Sequence, residues 1–341
     1  MLTNGVFFQR LEKDFAPFAH SRGILIAVSG GPDSMALLRL AHHWATIPGR
    51  PPVSAATVDH GLRTDARIEA EQVGAWCAAL AVPHTILAWE GEKPVTRIQE
   101  RARDARYALL EDHAVSLGFD TLFTAHHADD QAETVLFRLL RGSGIAGLAG
   151  MSVDAPRGAI RHGRPLLGWK KDELIRVCVK LGQTFFTDPS NYDPRYARTR
   201  MRELAKLLAD EGLDANALGR LAGRAQRADA ALDAVATARR EALLVSGDPA
   251  RAVLDATLLF VEPEEIILRI LGGEIARLGD RSARQPHVRL ERLERLADEL
   301  KDAVRAGQPI ARTLGGAMIS VSPGKGLTVK AEPPRRPLRG N

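Results

Sequence analysis

Cysteine is nearly absent from this 341-residue chain, which holds Cys77 and Cys178 alone. They form no CxxC pair and each falls inside a helix-like segment, which leaves no zinc knuckle and no disulfide framework. No stretch approaches the roughly 18 apolar residues that span a bilayer. The opening MLTNGVFFQRLEKDF has no apolar run of the signal-peptide kind. These absences predict a protein of the reducing cytoplasm with no membrane partner. No internal repeat is visible. A glycine-rich nucleotide loop of the GxxxxGK[ST] type is missing as well, since no lysine follows the glycines near residue 30.

What is present is an ordinary globular composition, 45% apolar and 26% charged, with a net charge of +5. The length suffices for two domains, each with its own core. The modest basic excess tolerates a polyanionic partner without requiring one. Over the first two hundred residues, apolar strand-like runs alternate with helix-like stretches. ILIAVS leads to SMALLRLAHHW, VSAATVDH to RIEAEQVGAWCAAL, and TLFTAHH to DDQAETVLFRLLRG. Uniformly apolar strands separated by helices predict an α/β fold with a doubly wound parallel sheet covered on both faces. Ligands in such sheets lie beyond the C-terminal strand ends. Three polar clusters fall there, SGGPDS, VDHGLR and AHHADD.

The stretch 142–165 reads as loop-rich and is followed by a helix over KKDELIRVCVKLG. From about residue 215 the character shifts to alanine- and arginine-rich amphipathic helices, a closing hairpin in GAMISVSPGKGLTVKAE and a basic tail, RRPLRG. The expected division is a catalytic domain over 1–214 and a smaller, mainly helical C-terminal domain over 215–341.

In SGGPDS, adjacent glycines let backbone N–H groups approach an anion at a helix N-terminus. Ser29 and Ser34 add hydroxyls. Asp33 is out of place beside a phosphate unless Mg²⁺ bridges the two. A plain turn in which Asp33 or Ser34 caps the next helix would account for the same letters. AHHADDQAET sets His126, His127, Asp129, Asp130 and Glu133 where a strand passes into a helix. Asp130 and Glu133, three apart, share a helix face, and the same spacing also reads as a capping box. GSGIAG is formally GxGxxG, but it follows a helix instead of a strand, so the dinucleotide context fails. DPRYARTRMR carries Arg195, Arg198, Arg200 and Arg202 among tyrosines, a pattern suited to a phosphate track beside an unstacked base, or to a solvated helix start.

With SGGPDS, VDHGLR, ARDARY, AHHADDQAETVLFRLLRGSGIAGLAGM and DPSNYDPRYARTRMR in order, residues 22–205 resemble the tRNA(Ile)-lysidine synthetases of the PP-loop ATP pyrophosphatase superfamily. The resemblance implies a Rossmann-like PP-loop fold. It implies that ATP adenylates the wobble cytidine of a tRNA(Ile) with a CAU anticodon. L-lysine then displaces AMP to give lysidine, changing codon reading from AUG to AUA. It places Ser29, Gly30, Gly31, Pro32, Asp33, Ser34, Asp59 and His60 at ATP, and Asp33 at Mg²⁺. Arg106, His126, Asp130 and Glu133 fall at lysine, and Arg106, Asp130 and Glu133 join Asp33 as catalytic residues. Arg141, Arg195, Arg198, Arg200 and Arg202 fall at tRNA, with the C-terminal domain on the tRNA body. The family usually has asparagine where Thr199 stands. The sequence leaves the oligomeric state open, a homodimer included. Two further functions fit less of the chain. A tRNA thiolase wants reactive cysteines or an iron–sulfur cluster, and a non-catalytic ATP- or RNA-binding module has no need of a second carboxylate cluster.

Overall fold

In the computed structural model of the chain, ILIA forms strand β1 (Ile24–Ala27), whose first three residues are fully buried. Its alternating side chains serve two cores. Ile24 and Ile26 pack among Phe15, Leu37, Trp44 and Leu174, whereas Leu25 packs with Tyr107, Leu110 and Ala114. Burying each such aliphatic side chain is worth roughly 1.5–3 kcal/mol, so a strand that is apolar on both faces specifies a sheet sandwiched between helices.

The structure describes residues 5–61, 66–89, 98–187, 197–279 and 288–333. It divides into two compact units, Met1–Arg141 with Ala149–Gly223, and Gly142–Leu148 with Arg224–Asn341. In the first, β1 is joined by β2 (Val53–Asp59), β3 (His84–Ala88), β4 (Thr121–Phe123), β5 (Asp154–Arg157) and β6 (Ile160–Gly163) in the order β3-β2-β1-β4-β6-β5. All neighbours are parallel except β5, which is antiparallel to β6. The helices of this unit include α1 (Gly5–Phe15), α2 (Pro32–Ala45), α3 (Ala66–Ala79), α4 (Ile98–Ser116), α5 (Ala128–Leu139), α7 (Lys171–Lys180) and α8 (Ala197–Asp210); the short α6 (Ile145–Leu148) belongs to the second. From β1 the chain winds outward through α2, β2, α3 and β3. Helix α4 then carries it back to β4, on the other side of β1. The β1–β4 pair is therefore the topological switch point, beyond whose carboxyl strand ends sheets of this kind bind their ligands.

The stretch expected to be loop-rich supplies β5 and β6. Its strand signal was hidden because IRHG mixes apolar and polar residues, and because β6 is completed by parallel pairing with the distant β4.

The second unit has a core of its own. Helices α10 (Ala256–Leu259), α11 (Glu264–Leu278) and α12 (Leu290–Ala306) pack on a five-stranded antiparallel sheet, β7 (Leu244–Asp248), β8 (Arg251–Leu254), β9 (Ile310–Leu314), β10 (Ala317–Ser322) and β11 (Gly326–Ala331), in the order β7-β8-β11-β10-β9. The closing hairpin β10–β11 was legible in sequence, and the three strands that extend it were not. The long helix α9 (Ala215–Leu243) begins where the change of character was expected, while the division by contacts falls inside it.

Candidate active site at the switch point

SGGPDS turns from β1 directly into α2. Gly30 has φ +81°, and a Cβ there would lie 2.7 Å from Phe186 Cδ2. The position therefore excludes side chains on both conformational and steric grounds. Gly31 is the N-cap and Pro32 opens the helix, so neither Asp33 nor Ser34 caps it. The Ser34 hydroxyl donates to the Gly31 carbonyl (3.0 Å) and accepts from the Ser29 N–H (3.1 Å). Ser29 Oγ stands 3.2 Å from Ser34 Oγ. The hydroxyls thus brace the loop, and what the turn offers an anion is the first-turn N–H groups of α2, which have no intrahelical partners.

Across the switch point, α5 starts at the end of β4 with His127 as N-cap. Asp130 Oδ2 accepts from the His127 N–H at 3.1 Å. The cap therefore joins Asp130 to His127, three residues before the Asp130–Glu133 pairing that the spacing also allowed. Glu133 is buried on the same helix, beside the packing of Ala132, Val135 and Leu136 on Leu218 and Ala222.

His127 is itself buried and stands among three carboxylates. Its Nε2 is 3.6 Å from Asp33 Oδ2 and 3.5 Å from Asp130 Oδ2, and its Nδ1 is 3.3 Å from Asp129 Oδ2. Burial alone would lower its pKa, but the three aspartates outweigh burial and raise it to about 10. Asp129 is held down to about 2, chiefly by His127 and further by the Lys171 N–H, which donates to it at 3.0 Å. The imidazolium offsets part of the charge of three acids that would otherwise repel one another.

Asp33 Oδ1 is buried and has no hydrogen-bond partner among the described residues. A lone carboxylate oxygen beside a helix N-terminus with unpartnered N–H groups fits Mg²⁺, which takes one or two carboxylates together with phosphate oxygens. Among the described residues no three His, Cys, Asp or Glu side chains form a metal-holding group by themselves.

The preceding residue, His126, faces a cluster of the opposite sign, because successive side chains on extended backbone point to opposite sides. Its Nδ1 is 2.7 Å from Thr124 Oγ1, and its ring lies 6.1 Å from that of His162. Tyr107, buried on α4, has three guanidinium groups over its ring, Arg157 at 4.0 Å, Arg106 at 5.1 Å and Arg103 at 5.4 Å. His162 stands edge-on to Tyr107 at 5.3 Å. Burial, followed by Arg164, His126, Arg157 and Arg103, pushes its pKa down to about 2. His126 and His127 therefore lead into one cationic and one anionic cluster.

The structure thus brings Asp33, Asp130 and the unassigned His127 and Asp129 together, and sets His126 and Arg106 around the second cluster. Asp59 ends β2, where its carboxylate closes a turn by accepting from the Gly61 N–H at 2.9 Å, and the His60 ring meets Trp89 edge-on at 6.0 Å. Arg141 is exposed, stacked 4.0 Å over Phe137. Arg195 and the basic tail lie outside the described residues, as do the side chains of Arg198, Arg200 and Arg202, whose backbone is in α8. Sequence reading missed His162, Arg157 and Arg164 altogether. Their only signal was the cluster of basic residues in a stretch taken for a loop.

Three comparisons bear on this arrangement. A family model described as a PP-loop domain matches residues 4–208. A tRNA(Ile)-lysidine synthase of Methylobacterium sp. (strain 4-46) is 47% identical over 92% of this chain and 90% of its own length. One of Rhodopseudomonas palustris is 45% identical over 94% of each chain. Among solved structures, the U34-tRNA thiolase NcsA from Methanococcus maripaludis, which carries a [4Fe-4S] cluster, aligns with a TM-score of 0.54 at 16% identity, over 65% of this chain and 80% of that one. That last likeness concerns the fold.

Proposed function

Since the chain belongs to the tRNA(Ile)-lysidine synthase family, a PP-loop family of ATP-using ligases, we propose that it joins L-lysine to C2 of the wobble cytidine of a tRNA(Ile) with a CAU anticodon. In the first step the cytidine O2 attacks the α-phosphate of ATP, and pyrophosphate leaves. In the second the lysine ε-amine attacks C2, the C2–O bond breaks and AMP departs with that oxygen. The product reads AUA in place of AUG. The reaction belongs in the cytoplasm, where tRNA is used, and among the described residues no helix is long and apolar enough to cross a membrane.

The observation that carries this reading is the pair of oppositely charged clusters on either side of His126–His127, next to a phosphate-binding turn. Free lysine is a zwitterion with a second ammonium. It needs a cationic site for its carboxylate, for which Arg106 is proposed, and carboxylates for its amines, for which Asp130 and Glu133 are proposed. At neutral pH the ε-amine is protonated, with a reference pKa of about 10.4. One of these carboxylates must therefore accept a proton before attack. Ser29 to Ser34, with Asp59 and His60, would hold ATP. Mg²⁺ at Asp33 Oδ1 would supply positive charge opposite the departing pyrophosphate. Arg141, Arg195, Arg198, Arg200 and Arg202 are assigned to tRNA phosphates, and residues 215–341 to the tRNA body.

A thiolase reading finds no support in the thiols. Cys77 and Cys178 are buried, and burial pushes their pKa values up to about 12 and 11. The test is to follow pyrophosphate and AMP separately with ATP and tRNA. Pyrophosphate release without lysine, with AMP release only after lysine is added, is the expected result. Pyrophosphate release that does not depend on tRNA would sink the assignment.

A further inference from the structure

A chain of three hydrogen bonds runs from β6 to the end of β4. Arg164 Nη2 is 2.9 Å from His162 Nδ1, His162 Nε2 is 2.8 Å from Thr124 Oγ1, and Thr124 Oγ1 is 2.7 Å from His126 Nδ1. The direction of each bond is forced. A guanidinium only donates, so His162 Nδ1 accepts and the single proton of the neutral ring sits on Nε2. That proton goes to Thr124 Oγ1, which is buried like His162. The threonine hydroxyl has one hydrogen, and among the described residues its oxygen meets only the two histidines. Were His126 Nδ1 also to donate, that hydrogen would be left in the interior without an acceptor, which is strongly disfavoured. Thr124 therefore donates to His126 Nδ1.

We propose that Arg164, His162 and Thr124 are positioning residues that fix His126 as the tautomer with its proton on Nε2, so that His126 serves as a neutral hydrogen-bond donor and not as the base that deprotonates the amine. The proposal rests on the lysine-ligating reading above, in which His126 belongs to the lysine site. A donor on His126, whose ring lies 6.1 Å from that of His162 in the cationic cluster, suits the carboxylate end of that substrate. Proton removal is left to Asp130 or Glu133. A fixed tautomer of this kind is set by what the other ring nitrogen meets.

The experiment is long-range ¹H–¹⁵N NMR on the full chain with ¹⁵N-labelled histidine and no substrate, assigned with His126→Gln and His162→Gln. His126 is expected to show an unprotonated Nδ1 and a protonated Nε2 across neutral pH. Thr124→Val should release that preference and raise the KM for lysine about tenfold, with kcat and pyrophosphate release little changed. Thr124→Ser should restore both. A wild-type His126 that is protonated on Nδ1 or doubly protonated overturns the proposal, and it does so without any variant having to fold. A tautomer that holds in Thr124→Val also overturns it, as does a KM that does not move when the tautomer is lost. Failure of the wild type to incorporate lysine would count against the ligase reading instead, because the tautomer is read without substrate.

Discussion

Nε2 of His127 stands 3.6 Å from Oδ2 of Asp33, across the switch point between β1 and β4. That contact ties the turn between β1 and α2 to the carboxylate-bearing helix α5. It also makes the local charge balance depend on one proton. The folded-state pKa of His127 is raised to about 10 from an ordinary value of 6.5. Its contribution to stability is therefore full below pH 6.5, falls as pH rises from there, and is gone above about 10. Asp129, held down to about 2 from 3.8, adds a contribution present above pH 3.8 and lost as pH falls toward 2. In EDTA, denaturant unfolding of the wild type should lose stability between neutral pH and 10. His127→Gln should flatten that slope and cost roughly 1–3 kcal/mol near neutral pH, since solvent reaches Asp129 and screens the pair. A slope that survives in His127→Gln would assign it to other groups.

Asp33→Asn keeps the shape of the turn and removes the charge at Oδ1. Adenylation should fall by roughly 10² to 10³, while far-UV circular dichroism stays unchanged. Pyrophosphate release with tRNA checks this, and near-normal release would remove Asp33 from the metal and nucleotide site.

Glu133→Gln and Arg106→Ala should impair lysine incorporation more than formation of adenylated tRNA. Quenched turnover with labelled ATP and labelled lysine, followed separately, reads the two steps apart. Equal loss of both would mean that these residues serve the nucleotide or the fold.

Arg195, Arg198, Arg200 and Arg202 are each expected to contact a phosphate. Replacing one with alanine should weaken tRNA binding and reduce the salt dependence by about one unit of slope, with ATP binding unaltered. Unchanged slopes for all four would leave them on a solvated surface.

In the second unit, Glu274 is buried on α11 with Arg240 Nε at 2.6 Å and Arg277 Nη2 at 2.6 Å. Glu274→Ala would leave two guanidinium groups facing each other, and breaking a buried pair on one side costs about 3–5 kcal/mol. A lowered thermal transition, with ATP binding retained at low temperature, is the expected outcome. A melting temperature equal to that of the wild type would mean that solvent already satisfies these charges.

The local pieces of this protein were carried by sequence because they depend on neighbours along the chain. An apolar strand running into GGP specifies a turn at a helix start through the conformational freedom of glycine and the fixed φ of proline. The 3.6-residue periodicity of α9, α11 and α12 specifies their buried faces. Only the tertiary structure decided which way consecutive histidines face and that a loop-like stretch contributes β6. Each of those depends on partners far away in sequence, such as Asp33 for His127 and Thr124 for His162. Charge and hydrogen bonding act through space at a few ångströms, and the fold alone decides which residues come that close.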